Sequence, residues 1–352
     1  MKWRVYPAEV LPAWVAEMDA RPCPAVVEAV ESAVRRGDTG YTWIEPYAEA
    51  FAGFAEDRWG WSLEPGRLVS VPDVMIGVLE MLRLFTDRGD AVVVSPPVYD
   101  SFFGFISGYD RRLVTAPLDA AGRLDGEALE RAFAEATSGG GRAAYLLCNP
   151  QNPTGTVHTA AELTMLADTA DRYGVRVVAD EIHAPLVLSG DGFTPYLSVP
   201  GGERGVALHS ASKAWNLAGL KCALAIAGDE AQDDLARMPE VATHGASHVA
   251  AIAHAAAMSD GRDWLDQLLT ELAANRDHLA TRLAAELPEA GYHPGDATYL
   301  AWLDLRALGL GPDPAEVLRT RGQVALASGP RYGQVAGAGF ARLNFATSPE
   351  VL

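Results

Sequence analysis

Lys213 sits where an amine is costly to keep charged. It lies in Ser210-Ala211-Ser212-Lys213-Ala214-Trp215-Asn216-Leu217-Ala218-Gly219-Leu220-Lys221, between apolar runs at 205–209 and 222–227, which reads as a strand, a polar bend and a returning strand. Burial in such a bend desolvates the ammonium and lowers its pKa, freeing the amine to form a Schiff base with a carbonyl. The tetrapeptide around the lysine, taken alone, reads more simply as a solvated loop. Two further polar clusters follow apolar runs: Cys148-Asn149-Pro150-Gln151-Asn152-Pro153-Thr154-Gly155 and Ala179-Asp180-Glu181-Ile182-His183. Singly, Asn-Pro and Pro-Thr-Gly are turn chemistry, and an aspartate at a strand end is often a helix cap.

The elements that must position these groups give them a joint meaning. Short continuous apolar runs at 91–94, 144–147, 175–178, 206–208 and 223–226, with an amphipathic helix over 161–173 between two of them, predict strands buried on both faces. Alternation with helices implies a mainly parallel sheet with right-handed crossovers, and ligands on such sheets gather beyond the carboxyl ends of the strands. There an amine, a carboxylate and an amide converge on one crevice, which is the set a pyridine aldehyde cofactor requires. Upstream, a strand at 68–71 turns through Pro72-Asp73 into a helix over 74–82, presenting free N–H groups suited to phosphate. Helices are also expected over 24–36, opened by a proline, over 48–59, and over 262–287. The last would bridge to a second unit with strands at 298–305, 323–327 and 339–347. His244 and His248 have the i, i+4 spacing of a zinc pair on one helix face, but no third ligand follows in register, so no metal site is expected. Gly139-Gly140-Gly141 and Gly337-Ala338-Gly339 lack the context of a phosphate or dinucleotide loop.

Composition bounds the rest. The chain has 352 residues, 49% hydrophobic, enough for a sizeable core; its net charge of −18 and pI near 4.8 argue against nucleic acid or an anionic membrane as partner. No apolar run is long enough to span a bilayer and the start lacks the apolar core of a signal peptide, so a cytoplasmic protein is expected. Cys23, Cys148 and Cys222 are odd in number and widely spaced, which predicts buried thiols, no disulfide and no thiolate metal site.

Seven motifs run in one order along nearly the whole chain: Trp14-Val15-Ala16-Glu17-Met18-Asp19, Gly40-Tyr41-Thr42, Ser95-Pro96-Pro97-Val98-Tyr99, the 149–155 run, Asp180-Glu181-Ile182-His183, the lysine stretch, and Arg342-Leu343-Asn344-Phe345. In these the sequence resembles the fold-type I pyridoxal-phosphate enzymes of the class I and II aminotransferase superfamily, and within it the MalY/PatB group of cystathionine β-lyases. The resemblance implies an α/β fold: a large three-layer domain with a mainly parallel, seven-stranded type of sheet at 41–260, and a smaller α+β domain from 261–352 and the N-terminal segment 1–40. It implies that Lys213 carries pyridoxal 5′-phosphate, that Asp180 pairs with the pyridine nitrogen, and that Asn152 and His183 lie at the ring's phenolic oxygen. Tyr99 would stack on the ring. Ser210, Ser212, Lys221 and the backbone at Val74 and Met75 would hold the phosphate, with Tyr41 reaching the phosphate of a neighbouring subunit in a homodimer. Arg342 would clamp the α-carboxylate of an amino-acid substrate.

Four departures stand against that pattern. Asp73 replaces a usual glycine before the phosphate helix, Gln151 a frequent histidine and Ala20 a frequent aromatic, and the chain stops at Leu352, where a closing helix is usual. The activity implied is α,β-elimination from cystathionine, cystine or another L-cysteine conjugate to give a thiol or persulfide, pyruvate and ammonia. An aminotransferase shares the early chemistry and is the alternative. A regulatory, protein-binding role with residual or no catalysis is the alternative from another class; Lys213, Asp180, Asn152 and Arg342 together argue against a purely non-catalytic chain.

Overall fold

Continuous apolar runs become strands whose alternate side chains feed two separate cores. In the strand Ala143–Cys148, Ala143, Tyr145 and Leu147 pack with the helices Gly126–Thr137 and Ala160–Tyr173, while Ala144, Leu146 and Cys148 pack with the helix Val74–Phe85. This two-sided burial is why polar alternation is missing from the sequence. The computed structural model describes all 352 residues. It holds a seven-stranded sheet in the order Val69–Val71, Ala223–Ala227, Val206–His209, Val175–Asp180, Ala143–Cys148, Ala91–Val94, Arg112–Thr115. Only Ala223–Ala227 runs antiparallel to its neighbours. The register sets Cys148, Asp180 and Leu208 side by side, so three strands end together on one edge.

Local signals deliver the chain to that edge. Thr159 and Glu162 form a reciprocal capping box at the start of Ala160–Tyr173, and Gly174, with φ of 66°, closes the helix in the left-handed region that glycine adopts without strain. The strand ending in Asp180 starts at the next residue. The expected helices at 24–36 and 161–173 are found as Pro24–Arg36 and Ala160–Tyr173, and that at 262–287 as Arg262–Glu286. The edge strand Arg112–Thr115 has no continuous apolar run to mark it, because only Val114 of its four residues is buried, as suits a strand with one free side.

A second, antiparallel sheet runs Ala327–Ser328, Phe340–Asn344, Leu300–Asp304, Gly291–Tyr292. The expected strand at 323–327 is instead two short pieces, and Val324–Ala325 pairs in parallel with Leu11–Pro12 of the N-terminal segment. His244 and His248 do not share a helix face: His244 ends the short helix Glu240–Thr243 and His248 opens His248–Ser259, where its ring meets Asp38 at 3.0 Å. No helix is long and apolar enough to cross a membrane.

Candidate active site

The lysine bend is pinned from both sides. Ala211, Ala214 and Trp215 are buried in the core, and the Trp215 indole donates to Gly261 O at 3.1 Å. Asn216 adopts φ of 58°, a conformation asparagine tolerates better than most residues, and its amide grips Met18 twice, accepting from N at 3.0 Å and donating to O at 2.9 Å. Lys213, between these anchors, points into a cavity of ≈ 320 Å³ at the carboxyl edge of the large sheet.

Around this cavity the structure gathers Lys213, Asp180, Asn152, His183, Tyr99 and Arg342, with Val74 and Met75 at the first turn of their helix. Asp180 is 5% exposed. Burial raises its pKa to about 6, held back from rising further by the Ile182 N–H, at 3.2 Å, and by the charge of Lys213. Burial lowers Lys213 to about 8; the Arg342 guanidinium adds to the fall and Asp180 opposes it. Burial also holds the His183 imidazole well below its usual range, with Lys213 and Arg342 acting in the same direction, so the ring is neutral. Burial raises the Tyr99 hydroxyl. Arg342, on Phe340–Asn344, donates from Nη1 to Asn152 Oδ1 at 3.1 Å and from Nη2 to Trp14 O at 2.8 Å, and its guanidinium lies over the Tyr332 ring.

Three buried polar atoms of residues lining the cavity have no protein partner: Arg342 Nε, His183 Nδ1 and Trp14 Nε1. Buried orphans are rare because each forfeits hydration without return. A donor on a fixed cation and a ring nitrogen on a neutral imidazole, beside an amine and a carboxylate, fit an anionic, hydrogen-bonding guest such as a phosphorylated pyridine aldehyde together with an amino acid.

Four of the expected residues lie outside the cavity lining. Ser210 is buried, donating to Cys222 O at 2.8 Å and accepting from Ser212 N at 3.2 Å, so its hydroxyl braces the bend. Ser212 is half-buried in the same bend. Lys221 is engaged with Asp73 at 2.9 Å. Tyr41 is fully exposed on its loop and does not approach the cavity of its own chain. The departures also find places. Asp73 caps Val74–Phe85 by accepting from Ile76 N at 2.8 Å. Gln151 is buried away from the cavity, donating to Ser95 O and Pro97 O at 3.2 and 2.7 Å. Ala20 lines a different cavity against Arg262–Glu286.

Several neighbours line the cavity that were not among the expected site residues; Trp14 and Cys148 lie within the motifs and polar clusters of the sequence, whereas Tyr332, Asp100 and Arg331 lie in none. Trp14 lines the cavity from the N-terminal segment, Asp100 from the start of the helix Ser101–Gly108, and Arg331 and Tyr332 from the turn Gly329–Tyr332. Cys148 does too, but burial pushes its thiol far above its usual range, which makes it a poor nucleophile. Glu181, fully buried, laces the strand ends together: its carboxylate takes Asn149 Nδ2 at 3.1 Å and Tyr196 N at 2.8 Å, and lies 2.8 Å from His209 Nε2.

Comparison with known proteins agrees with this geometry. The family model described as aminotransferase class I and II matches residues 15–352. A Mycobacterium tuberculosis protein provisionally named a cystathionine beta-lyase is 53% identical, over 100% of this chain and 91% of its own. The cystathionine beta-lyase of Corynebacterium glutamicum is 36% identical, over 100% of this chain and 93% of its own. Among solved structures, a Corynebacterium diphtheriae protein provisionally titled a PLP-dependent beta-cystathionase superposes with a TM-score of 0.93 at 37% identity, covering 100% of this chain and 92% of its own. The chain belongs to the aminotransferase class I and II family of pyridoxal-phosphate-dependent enzymes, in the group of the cystathionine β-lyases.

Proposed function

We propose that the protein is a pyridoxal-phosphate-dependent carbon–sulfur β-lyase, acting by α,β-elimination on an L-cysteine conjugate such as cystathionine or cystine. The observation that supports pyridoxal-phosphate chemistry is the convergence of Lys213, Asp180 and Arg342 on one cavity, with the lysine lowered to about 8 and the arginine retaining a free Nε, and the similarity to named cystathionine beta-lyases favours elimination over transamination. When bound, pyridoxal phosphate supplies an electron sink for the pair left behind as the substrate's α-proton departs.

The chain's own residues do the rest. Lys213 Nζ would hold the cofactor and is placed to take the substrate's α-proton; a pKa near 8 leaves part of the population neutral at physiological pH. Asp180, ionised above about 6, holds a proton on the pyridine nitrogen. Asn152 and His183 would hold the ring at its phenolic oxygen, and Tyr99 would pack against the ring. The N–H groups of Val74 and Met75 would hold the phosphate, with Ser212 and Lys221 supplying further donors, while Ser210 keeps its hydroxyl on Cys222 O and braces the bend that carries them. Arg342 takes the substrate's α-carboxylate, using Nε beside Nη2 in a fork. The leaving sulfur departs as a thiol or persulfide, and the remaining three-carbon fragment hydrolyses to pyruvate and ammonia.

In this reading residues 41–260 form the cofactor-binding unit, while 261–352 and 1–40 form the smaller one. The exposed Tyr41 loop supports a homodimer in which each subunit lends that tyrosine to the other's phosphate site.

The test is turnover of cofactor-saturated protein with cystathionine and cystine in the absence of any keto acid, following pyruvate and sulfur products together. Stoichiometric release over many turnovers is expected, and Lys213→Ala should lower it by at least about a thousandfold. A single turnover that resumes only when a keto acid is added would make the protein an aminotransferase instead.

A further inference from the structure

The cavity has a second charged end. Arg331, on the turn Gly329–Tyr332, and Asp100, the residue before the helix Ser101–Gly108, both line the cavity that holds Lys213 and Arg342. They meet at 2.6 Å between Nη2 and Oδ2. Asp100 makes no capping bond to the helix it precedes, so its carboxylate is not committed to that structural task. The Arg331 side chain is 65% exposed and that of Asp100 15%, which leaves N–H donors and carboxylate lone pairs facing solvent and cavity. An ion pair this open contributes little to stability.

The backbone behind the pair is well supported. Val98 N donates to Tyr332 O at 3.0 Å, and Gly333 lies so close to Pro96 that an added Cβ would come within 2.9 Å of the proline Cβ. The Tyr332 ring, next in sequence to Arg331, faces the Arg342 guanidinium at 5.0 Å. The two arginines therefore flank one tyrosine, and they differ in environment. Arg342 is buried, whereas Arg331 is open and paired with an acid.

We propose that Arg331 and Asp100 form a subsite for the far end of the substrate, selecting cysteine conjugates whose leaving group terminates in a second α-amino carboxylate. A guanidinium and a carboxylate side by side complement such a group: the arginine forks its carboxylate and the aspartate accepts from its ammonium. L-cystathionine and L-cystine carry that terminus; simple S-alkyl cysteines do not. The inference rests on the lyase reading above.

The experiment compares kcat/KM of holoenzyme on four substrates: L-cystathionine, S-(2-carboxyethyl)-L-cysteine, S-(2-aminoethyl)-L-cysteine and S-ethyl-L-cysteine. Each is normalised to S-ethyl-L-cysteine in the wild type, Arg331→Gln and Asp100→Asn. Arg331→Gln is expected to lower the carboxyethyl ratio, and Asp100→Asn the aminoethyl ratio, by roughly tenfold each, and both should lower the cystathionine ratio. Ratios that stay within about twofold of wild type in both variants, or a loss shared equally by every substrate, overturn the subsite while the lyase reading stands. A wild-type holoenzyme that releases pyruvate from none of them overturns the reading beneath it.

Discussion

Asp180 and Lys213 show at the scale of single residues how a site stores tension. Each is driven toward its neutral form by burial and back toward its charged form by the other. The aspartate's rise from 3.8 to about 6 corresponds to about 3 kcal/mol of folding stability forfeited at neutral pH, at about 1.4 kcal/mol per unit. The sign follows from proton binding: between the ordinary and the raised value the folded chain holds the proton and the unfolded chain does not, so stability falls as pH rises through that window. Asp180→Asn should therefore raise the melting temperature of the cofactor-free protein at pH 7 by several degrees, and the gain should vanish as pH falls from about 6 to about 4. Scanning calorimetry across that range checks it, and a variant less stable than wild type at pH 7 would contradict it. The same substitution should abolish turnover, since a neutral amide cannot hold a proton on the pyridine nitrogen.

At the scale of elements, the informative piece is the first turn of Val74–Phe85. A helix N-terminus favours an anion, and here one is already built in, because Asp73 accepts from Ile76 N and from Lys221 Nζ. On the proposed reading, a phosphate at the Val74 and Met75 N–H groups would meet a carboxylate that shares its helix end and is already paired with Lys221. Asn is as good an N-cap as Asp, so Asp73→Asn keeps the cap and removes the charge. The variant should prefer pyridoxal phosphate over pyridoxal by about tenfold more than wild type does, as measured by competition between the two for the holoenzyme. An unchanged preference would mean that Asp73 swings clear of the phosphate when the cofactor is seated.

At the scale of the molecule, the cavity wall at Trp14–Ala16 belongs to neither sheet and is held by both. Asn344 donates to Val15 O and Glu17 O at 2.7 Å each, Arg342 to Trp14 O, Tyr299 to Ala16 O at 3.1 Å, and Asn216 clamps Met18 from the lysine bend. Asn344 is 1% exposed, so Asn344→Ala would orphan two carbonyls and leave a small void. The expected loss is about 2–3 kcal/mol of stability, with KM raised more than kcat is lowered, because the wall that seats Arg342 would loosen while the proton-transfer groups stay in place. Urea unfolding and steady-state kinetics measure the two parts separately.

Much of the machine was legible in the residues themselves. Apolar runs flanked by polar clusters announced buried parallel strands with chemistry at their ends, because burial on two faces and ligand placement at carboxyl ends are both local consequences of sheet geometry. That Lys213, Asp180, Asn152 and Arg342 belong to one site followed from the order of motifs along the chain, and the cavity does bring the four together. Tertiary structure alone decided which polar groups meet. Gln151 looked like a departure at the site, yet it turns from the cavity to tie Ser95 and Pro97. Arg331 and Asp100 lie in unremarked turns more than two hundred residues apart, and only the packing of the second sheet against the first brings them to 2.6 Å. Sequence reports the preference of each residue for strand, turn, burial or charge, because those are set within a few neighbours. The partner of an exposed charge is set by how distant elements pack, and the side chain's identity does not encode it.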